Sequence, residues 1–223
     1  MKIHRIYEFI FKFWRSKRIC LFEQIIKPSA GDVMLDVGGY PWFWTKSPQR
    51  AKRIDCVNLH TVNWKPESCP EHRITMQIGD GCALEYADSD YYILFSNSVI
   101  EHVGDWNRQQ AFAREARRVG KRLWIQTPAY ECPFEPHYLA FFVHWFPISI
   151  RRKLLRWFTP WGWMAKPNQE EIDKSINFTQ LLTRKQMTQL FPDCQIITER
   201  LFVIFPKSYI AIRINRKQGY AQL

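Results

Sequence analysis

The sequence predicts an α/β protein: a Rossmann-like, doubly wound, mostly parallel sheet of seven strands with a C-terminal antiparallel hairpin. Apolar strand-like runs alternate with helical patterns along the chain. Two of these runs end in small or polar residues, at Gly38-Gly39 and at Ser96-Asn97-Ser98. The last two runs are joined by only about six residues, which is too short for a helical crossover, so they should pair antiparallel.

The strands are predicted from short apolar runs of residues. The run from Tyr91 to Phe95 is continuous, as is typical of a strand that is buried on both faces. Strands are expected over residues 32–37, 52–59, 73–78, 91–95, 122–126, 194–202 and 208–214.

The helices are predicted from apolar spacings of three and four residues and from capping residues. Residues 3–26 are expected to form one or two amphipathic helices that end before Pro28. Asp105 is expected to cap a helix over 106–118. A capping box that begins at Thr183 starts the last helix.

The chain of 223 residues is long enough for one sizeable domain with one core. We expect residues 1–27 to form an N-terminal amphipathic helical extension and residues 28–223 to form a single domain. Within that domain, residues 128–178 form a long insertion between the fifth strand and the last helix. We find no internal repeat that would divide the chain further.

Composition limits the class of protein. Hydrophobic residues make up 46% and charged residues 24%, which predicts a folded globular chain rather than a disordered one. The net charge of +11 attracts polyanions, phosphorylated substrates or anionic lipid without choosing among them. The six cysteines lack Cys-x-x-Cys spacing, which predicts reduced thiols in a cytosolic protein and neither a disulfide framework nor a zinc site.

The cellular location is predicted from apolar stretches. The longest later stretch, Tyr138 to Ile150, is too short to span a bilayer. The basic N-terminus lacks the continuous apolar core of a signal peptide. We therefore expect a cytoplasmic protein, with a peripheral position at the inner membrane surface left open.

Three turns follow predicted strands and carry candidate ligand contacts. Gly38-Gly39 lets the backbone approach a ligand, and Asp36 before it can accept from a ligand amine or orient the loop. Gly79-Asp80-Gly81 offers a carboxylate to an exocyclic amine of adenine, or is a plain turn. Ser96-Asn97-Ser98 ends the fourth strand, where open α/β sheets place the ligand crevice, although Ser98 can also cap a helix.

These residues together resemble a known family. Asp36-x-Gly-Gly, Gly79-Asp80-Gly81 and the segment from Asp90 to His102 resemble the class I S-adenosylmethionine-dependent methyltransferases. The resemblance covers residues 30–127 by motif and residues 180–214 by topology, and its most specific part is the Ser-Asn-x-x-x-Glu-His element.

The resemblance extends into the insertion. The segments Thr127-Pro128, Glu135-Pro136-His137 and His144 to Pro147 look like those of a bacterial subgroup of small-molecule methyltransferases linked to glycan or lipid pathways. The family implies S-adenosylmethionine as cofactor and methyl transfer to an oxygen or nitrogen of a small acceptor, by in-line displacement at the methyl carbon. The acceptor would lie under residues 128–165.

The resemblance also implies which positions contact the cofactor. The loop after the first strand would follow the methionine moiety, and the end of the second strand would hold the ribose hydroxyls. The turn after the third strand would meet adenine, and the end of the fourth would lie near the sulfonium. The positions implied are Asp36, Gly38, Gly39, Tyr40, Asn58, Asp80, Gly81, Cys82, Asn97 and Ser98.

Two departures from the family pattern affect these positions. Asn58 stands where the family usually has Asp or Glu, so its bond to the ribose diol would lack charge assistance. Tyr40 and Trp42 replace two glycines of the first motif, so the loop must take a bulkier course. Trp42, Phe43 or Trp44 would then either wall the cofactor pocket or fill the core.

Glu101 and His102 resemble part of a Glu-x-x-Glu-His pattern that binds magnesium in some relatives. Here Ser98 replaces the first Glu, and we predict no metal. Neighbouring residues at a helix start are not expected to point the same way. We therefore expect Glu101 to orient the loop and His102 to pack.

Glu135, His137 and His144 are the candidates for a general base. Histidine has a pKa suited to accepting a proton from a hydroxyl or amine near neutral pH. The alternative is that both histidines, seven residues apart on an aromatic stripe, are packed core residues.

An aromatic and basic block occupies residues 144–163. Such a surface suits an anionic membrane, a phosphorylated lipid or sugar, or RNA. The alternative, which we favour for most of the aromatics, is that they close the insertion onto the sheet while the arginines stay solvated. These aromatics are Trp145, Phe146, Trp157, Phe158, Trp161 and Trp163.

Three functions follow from these observations. The first is methyl transfer to a small, anionic, glycan- or lipid-type acceptor. The second is a non-catalytic cofactor-binding or membrane-adaptor protein with a degenerate pocket. The third, an RNA methyltransferase, is disfavoured because the fourth strand is not followed by the Asn-Pro-Pro-aromatic element of amino-group nucleic-acid methylases. The oligomeric state is left open.

Overall fold

The computed structural model describes residues 16–45, 51–60, 73–201 and 203–214. Its strands are β1 (Val33–Val37), β2 (Arg53–Asn58), β3 (Arg73–Ile78), β4 (Tyr91–Asn97), β5 (Gly120–Pro128), β6 (Phe134–Glu135), β7 (Ala140–Phe141), β8 (Gln195–Leu201) and β9 (Phe205–Arg213). Seven of them form one sheet in the order β3-β2-β1-β4-β5-β9-β8, and β6 pairs with β7 in a separate small sheet.

The main sheet confirms the predicted fold class. β1, β2, β3, β4 and β5 pair in parallel, whereas β9 is antiparallel to both β5 and β8. Only three residues separate β8 from β9, so the connection is a hairpin. The order of the strands reverses between β1 and β4, which is where open parallel sheets bind their ligands.

Six helices accompany the sheet in the described residues. They are α1 (residues 16–26), α2 (Trp106–Val119), α3 (Ile148–Trp157), α4 (Pro160–Ala165), α5 (Gln169–Phe178) and α6 (Arg184–Leu190). Asp105 caps α2 by accepting from the Arg108 amide, and the Thr183–Gln186 capping box starts α6, both as predicted. Residues 1–15, which include much of the predicted N-terminal helix, lie outside the described residues.

The core lies on both faces of the sheet. On one face, Phe112 of α2 and Met187 of α6 are fully buried in a cluster with the inward side chains of the strands. On the other face, Phe22 of α1 meets Phe95 and Trp124 edge-on at centroid distances of 5.1 and 5.4 Å. Helix α1 therefore belongs to the same core as the sheet.

The insertion has a small core of its own. Tyr138, Val143 and Leu155 are buried together with Ile172 and Ile176 of α5. Of the six aromatics expected to close the insertion onto the sheet, only Trp161 is partly buried, against this small core. The other five are exposed, so the expectation that most of them close the insertion onto the sheet is wrong; helix α3 buries only Leu155.

Candidate active site

The loop after β1 is shaped by two glycines. Gly38 has φ of +81°, and a Cβ there would overlap the side chain of Val99, which follows β4. A Cβ on Gly39 would overlap the carboxylate of Asp36. Both glycines are thus required by the close approach of the β1 loop to Val99 and to Asp36.

Asp36 is held inside this loop. Its carboxylate is 2% exposed and accepts a hydrogen bond of 2.7 Å from the indole nitrogen of Trp44. Burial raises the pKa of Asp36 to about 7, although the bond from Trp44 opposes the shift. Of the two roles weighed for Asp36, the structure shows the one that orients the loop, and Trp44 fills the core.

The aromatic residues of the loop stack on each other. The rings of Tyr40 and Trp42 lie 4.7 Å apart and nearly parallel, at 6°. Trp42 is half exposed, and Pro41–Phe43 forms a single 3-10 turn. The loop therefore accommodates its bulky residues, as expected, by forming a short turn. The stacked rings of Tyr40 and Trp42 lie on the outer side of this turn.

Asn58, at the end of β2, also ties the loop together. Its amide nitrogen donates to the carbonyl oxygen of Gly38 at 3.1 Å, and its own oxygen accepts from the Leu59 amide at 2.8 Å. The side chain therefore lies beside the glycine loop, where the ribose was expected. One N–H and one lone pair remain for a ligand after these two bonds.

The turn after β3 is braced by helix α2. Asp80 accepts from the Cys82 amide at 2.9 Å and forms an ion pair of 2.8 Å with Arg108. Partial burial would raise the pKa of Asp80, but these two partners bring it below its usual value. Gly81 passes so close to Val37 and Phe112 that a side chain would not fit without a shift. Both carboxylate oxygens thus already have protein partners.

The end of β4 is tied to α1 by a residue that the sequence did not reveal. Arg18 is 8% exposed and donates to Asn97 at 2.7 Å and to Gln126 at 2.9 Å. It also forms an ion pair of 2.8 Å with Glu199. A basic residue in an amphipathic helix gives no sign of such distant partners.

Ser98 has a left-handed backbone, with φ of +58°. Its hydroxyl donates to the side-chain oxygen of Gln126 at 3.0 Å, and no helix begins there. The helix-cap role considered for Ser98 is therefore wrong. The sharp turn instead directs the chain into a short 3-10 helix, Ile100–His102.

Two histidines and two buried carboxylates converge beyond this turn. The Nδ1 atom of His137 lies 2.6 Å from Glu135 Oε1, and its Nε2 atom lies 3.2 Å from Nε2 of His102. Glu101 is fully buried, and its Oε1 atom lies 3.9 Å from Nε2 of His102. We call these four residues the histidine–carboxylate cluster.

The convergence of Glu101 and His102 differs from what we expected. Neighbouring residues in an α-helix point apart, but these two lie in a 3-10 helix that ends directly in a loop. Thr127 holds one oxygen of Glu101 at 2.9 Å, while Phe178 stacks on the His102 ring at 4.7 Å. The other Glu101 oxygen has no hydrogen-bond partner. The Glu101 and His102 side chains thus converge, while His102 also packs on Phe178, as expected.

The cluster shifts the pKa values of its members in opposite directions. Burial, together with the neighbouring His137, lowers the pKa of His102 to about 4. Burial alone would also lower the pKa of His137, but Glu135 and Glu101 raise it above its usual value. Burial raises the pKa of Glu101 to about 7. The raised pKa of His137 favours its protonated form, whose Nε2 atom lies 3.2 Å from Nε2 of His102.

His144 lies behind this cluster. It is 6% exposed, and its Nε2–H donates to the carbonyl oxygen of Tyr130 at 2.8 Å. Its Nδ1 atom is 4.0 Å from Glu135, and burial lowers its pKa. The structure thus brings together Glu135 and His137, whereas His144 faces the interior behind them.

Glu101, His102 and His137 could also hold a metal ion, since one ligand atom of each lies within 4.8 Å of the others. A metal would need the Nε2 lone pairs of His102 and His137, the two atoms that lie 3.2 Å apart. A proton held between these atoms and a metal bound by them are therefore mutually exclusive.

An open groove of about 760 Å³ lies next to the cluster. His102 and Phe178 form part of its wall, and Lys174 lies on its rim with a largely exposed amine. The groove is thus bounded by the loop after β4 and by helix α5 of the insertion. This placement suits an acceptor whose reacting atom reaches His102.

Comparison with solved structures identifies the fold. Magnesium protoporphyrin IX methyltransferase (ChlM) from Synechocystis PCC 6803, with bound S-adenosylhomocysteine, matches with a TM-score of 0.56 at 9% identity, over 96% of this chain and 88% of that chain. A S-adenosylmethionine-dependent methyltransferase from Anabaena variabilis matches with a TM-score of 0.55 at 11% identity, over 92% and 85%. The chain has the fold of S-adenosylmethionine-dependent methyltransferases.

The methyltransferase fold is also that of the methyltransferase domain of bacterial CtHen1, which matches with a TM-score of 0.52 at 13% identity, over 88% of this chain and 95% of that chain. No protein-family model and no curated protein matches the sequence. In the part of the chain that the structure describes, no helix is long and apolar enough to cross a bilayer.

The residues at the reversal of strand order fit the cofactor of this fold. Glycine at position 38 lets the backbone of the β1 loop pass against the Val99 side chain at the end of β4. Asn58 and Asn97 flank this loop from β2 and β4. The side chains of Asp36 and Asp80 brace the loops, so contacts from these positions would come from backbone groups and remaining lone pairs.

Proposed function

We propose that this protein transfers a methyl group from S-adenosylmethionine to an oxygen or nitrogen of a small anionic acceptor of glycan or lipid type. The observation that carries the proposal is the histidine–carboxylate cluster directly beyond the β4 strand end, on a methyltransferase fold. The loop that holds the cluster starts at Val99, which contacts Gly38 of the cofactor loop. Cofactor and acceptor would therefore meet at Val99.

The chain's own residues would hold the cofactor by backbone and amide groups. The Gly38 amide already donates to the Val57 carbonyl oxygen at 2.7 Å, so the Gly39 amide would be the one offered to the amino-acid end, and Asn58 would offer its free N–H to the ribose. S-adenosylmethionine, when bound, supplies an already activated methyl group, so alignment of the acceptor accounts for much of the rate. Arg18 would fix the side chain of Asn97 beside that position.

The cluster would accept the proton that the acceptor loses. His102 faces the groove with a low pKa, so it is neutral near pH 7, and its Nε2 atom lies 3.2 Å from Nε2 of His137. Once His137 has released its proton to solvent, His102 would take the proton from the acceptor and pass it across this contact to His137. Glu135 then stabilises the imidazolium of His137 through the 2.6 Å contact, which makes Glu135 a positioning residue.

The acceptor's charge is inferred from the rim of the groove. Lys174 carries an exposed amine there, and its partner Glu170 is also exposed, so the pair is weak and open to exchange. An anionic group of the acceptor can replace Glu170 as the partner of Lys174. The overall charge of +11 would steer such a molecule toward the protein.

The experiment follows labelled methyl groups from S-adenosylmethionine into three acceptor classes: anionic glycolipids, neutral glycolipids of the same chain length, and RNA. We expect label in the anionic glycolipids, and a KM about tenfold higher in Lys174→Glu, which corresponds to about 1.4 kcal/mol. Lys185→Glu, on α6 and away from the groove, is the matched control. Preferential labelling of RNA, or equal effects of the two substitutions, would contradict the proposed acceptor.

A non-catalytic adaptor differs from this enzyme in the same assay. A degenerate pocket that no longer supports catalysis would also contain the stacked Tyr40–Trp42 pair and the internally bonded Asn58. An adaptor would bind S-adenosylhomocysteine or lipid but would transfer no label to any of the three acceptor classes.

A further inference from the structure

Helices α3 and α4 carry an exposed surface that the proposed function does not use. We define this aromatic–basic surface by Ile150, Lys153, Arg156, Trp157, Phe158 and Trp163. The side chains of Trp157, Phe158 and Trp163 are 63%, 71% and 61% exposed. Three large aromatic side chains within seven residues are rarely left in water without a partner. The surface therefore needs an occupant.

The surface is continuous along α3 and into α4. Ile150, Lys153 and Trp157 are spaced by three and four residues, so they form one stripe on the side of α3 opposite the buried Leu155. The indole nitrogen of Trp163 donates to the main-chain oxygen of Trp157 at 2.6 Å. This bond places the Trp163 ring at the C-terminal end of the stripe.

The charged residues in this part of the chain are all basic. Residues 136–169 contain no Asp or Glu, but they contain five Lys and Arg residues. Arg152 pairs with Asp173 of α5, whereas no carboxylate of the described chain pairs with Lys153 or Arg156. The guanidinium of Arg156 instead lies 5.2 Å from the centroid of the Trp157 ring. Unpaired cations beside exposed rings are complementary to an anionic, partly apolar partner.

We propose that the aromatic–basic surface docks on the interface of an anionic lipid bilayer. Trp and Phe side chains occupy the boundary between headgroups and acyl chains, and neighbouring Lys and Arg side chains meet lipid phosphates. Helix α3 has ten residues, about 15 Å, so it can lie in the plane of the interface but cannot span it. The inference is independent of the proposed methyl transfer.

The test is sedimentation of the full chain with vesicles of phosphatidylcholine alone and with vesicles in which about a third of the lipid is phosphatidylglycerol. We expect binding to the anionic vesicles only, with an affinity that falls as salt rises. The double substitutions Trp157→Ser with Phe158→Ser and Lys153→Glu with Arg156→Glu should each weaken binding at least about tenfold. Circular dichroism checks that both variants are folded.

The matched control for charge is Arg114→Glu with Lys185→Glu, which makes the same charge change on exposed positions of α2 and α6. This variant should bind nearly as the wild type does. The proposal is overturned if the wild type stays in the supernatant, or if the control loses as much affinity as Lys153→Glu with Arg156→Glu. It is also overturned if sedimentation velocity shows a dimer that Trp157→Ser with Phe158→Ser abolishes, because a second copy would then cover the surface.

Failure of this proposal is distinguishable from failure of the proposed function. Calorimetric titration with S-adenosylhomocysteine should give the same affinity for the wild type and for both surface variants, because the surface lies on helices that do not contribute to the β1 loop. Vesicle binding without cofactor binding would support the docking surface and contradict the enzyme. Cofactor binding without vesicle binding would overturn the docking surface and leave the proposed enzyme standing.

Discussion

His137 and Glu135 are two residues apart in a tight turn, and the contact between their side chains sets the chemistry of the site. The main-chain amide of His137 also donates to Glu135 at 3.0 Å, so the carboxylate is fixed by the turn itself. Glu101 approaches the histidines from the other side with an oxygen that no protein group satisfies. The two imidazole rings therefore lie between the carboxylates of Glu135 and Glu101, which bind protons with different affinities.

The first prediction concerns the pH dependence of methyl transfer. Because Glu135 and Glu101 hold the pKa of His137 above its usual value, the rate should rise with pH through an apparent pKa above 6.5 that belongs to the histidine pair. His137→Gln should lower kcat about a hundredfold and remove this limb, with little change in cofactor affinity. A variant that keeps both the rate and the limb would exclude His137 as the group that titrates.

The second prediction concerns metal ions. If the cluster shares a proton, treatment with EDTA should leave the rate of methyl transfer unchanged, and added Mg²⁺, Mn²⁺ or Zn²⁺ should not raise it. Loss of the rate with EDTA and its return with one of these ions would show that Glu101, His102 and His137 act as ligands instead.

The third prediction concerns the stability of the cofactor loop. Asp36 has a pKa raised from 3.8 to about 7 in the folded protein, so the folded state binds the proton more tightly than the unfolded state does. Its contribution to stability is therefore present below pH 3.8 and is lost as pH rises toward 7, by up to about 1.4 kcal/mol per pH unit.

Asp36→Asn removes this titration but keeps an oxygen for the Trp44 indole. The free energy of unfolding of the variant, measured by urea titration between pH 4 and pH 8, should thus fall less with pH than that of the wild type. The raised pKa of Glu101 contributes the same pH dependence to both proteins, so its contribution cancels when the two curves are compared. Parallel curves would show that Asp36 does not have a raised pKa.

At the scale of elements, the side chain of Arg18 joins α1 to the site. Arg18 links α1 to β4, β5 and β8 by contacting Asn97, Gln126 and Glu199. The fourth prediction is that Arg18→Met destabilises the protein by about 3 kcal/mol, because it leaves Asn97 and Gln126 without their donor and the partly buried Glu199 without its main partner. It should also weaken binding of S-adenosylhomocysteine, because Asn97 loses its orientation.

The matched control is Lys27→Met, which removes the same charge from an exposed position just after α1. We expect this variant to keep the stability and the affinity of the wild type. Equal behaviour of the two variants in thermal unfolding and in calorimetry would mean that α1 does not position the site.

An element could be predicted from the sequence when the residues that specify it lie close together in the chain. The caps at Asp105 and Thr183 are read correctly because capping involves residues three positions apart. Helix α5 carries the same kind of local signal, a capping box of Asn168 and Glu171, but no helix was predicted there. The role of Arg18 could not be predicted, because its partners lie at least 79 positions away in the chain.

The same distinction applies to the site. The glycines of the β1 loop were singled out from the strand that precedes them; the structure explains them by the close approach of Val99 and Asp36, and their contact with a ligand stays a prediction. The meeting of His102 with His137 was not predicted, since it depends on how the insertion folds back over β4. A main-chain bond of 2.7 Å from Gln180 to Glu101 fixes that fold-back.

At the scale of the whole molecule, the sheet order and the closing hairpin follow from strand-like runs and from the length of the last connection. The shared fold with structures of 9–13% identity shows that this architecture tolerates nearly complete change of sequence. The fold alone therefore does not determine the activity. What is particular to this chain is the stacked Tyr40–Trp42 turn, the histidine–carboxylate cluster and the basic insertion.

The central claim is that the β1 loop binds the cofactor in spite of Tyr40, Trp42 and Asn58. Calorimetric titration of the purified chain with S-adenosylhomocysteine tests it most directly. We predict one site per chain with a dissociation constant in the micromolar range, about −8 kcal/mol, which Gly39→Val should abolish while the protein stays folded. Absence of binding to the wild-type protein would show that the fold is kept here without its cofactor, and the claim of methyl transfer would fail.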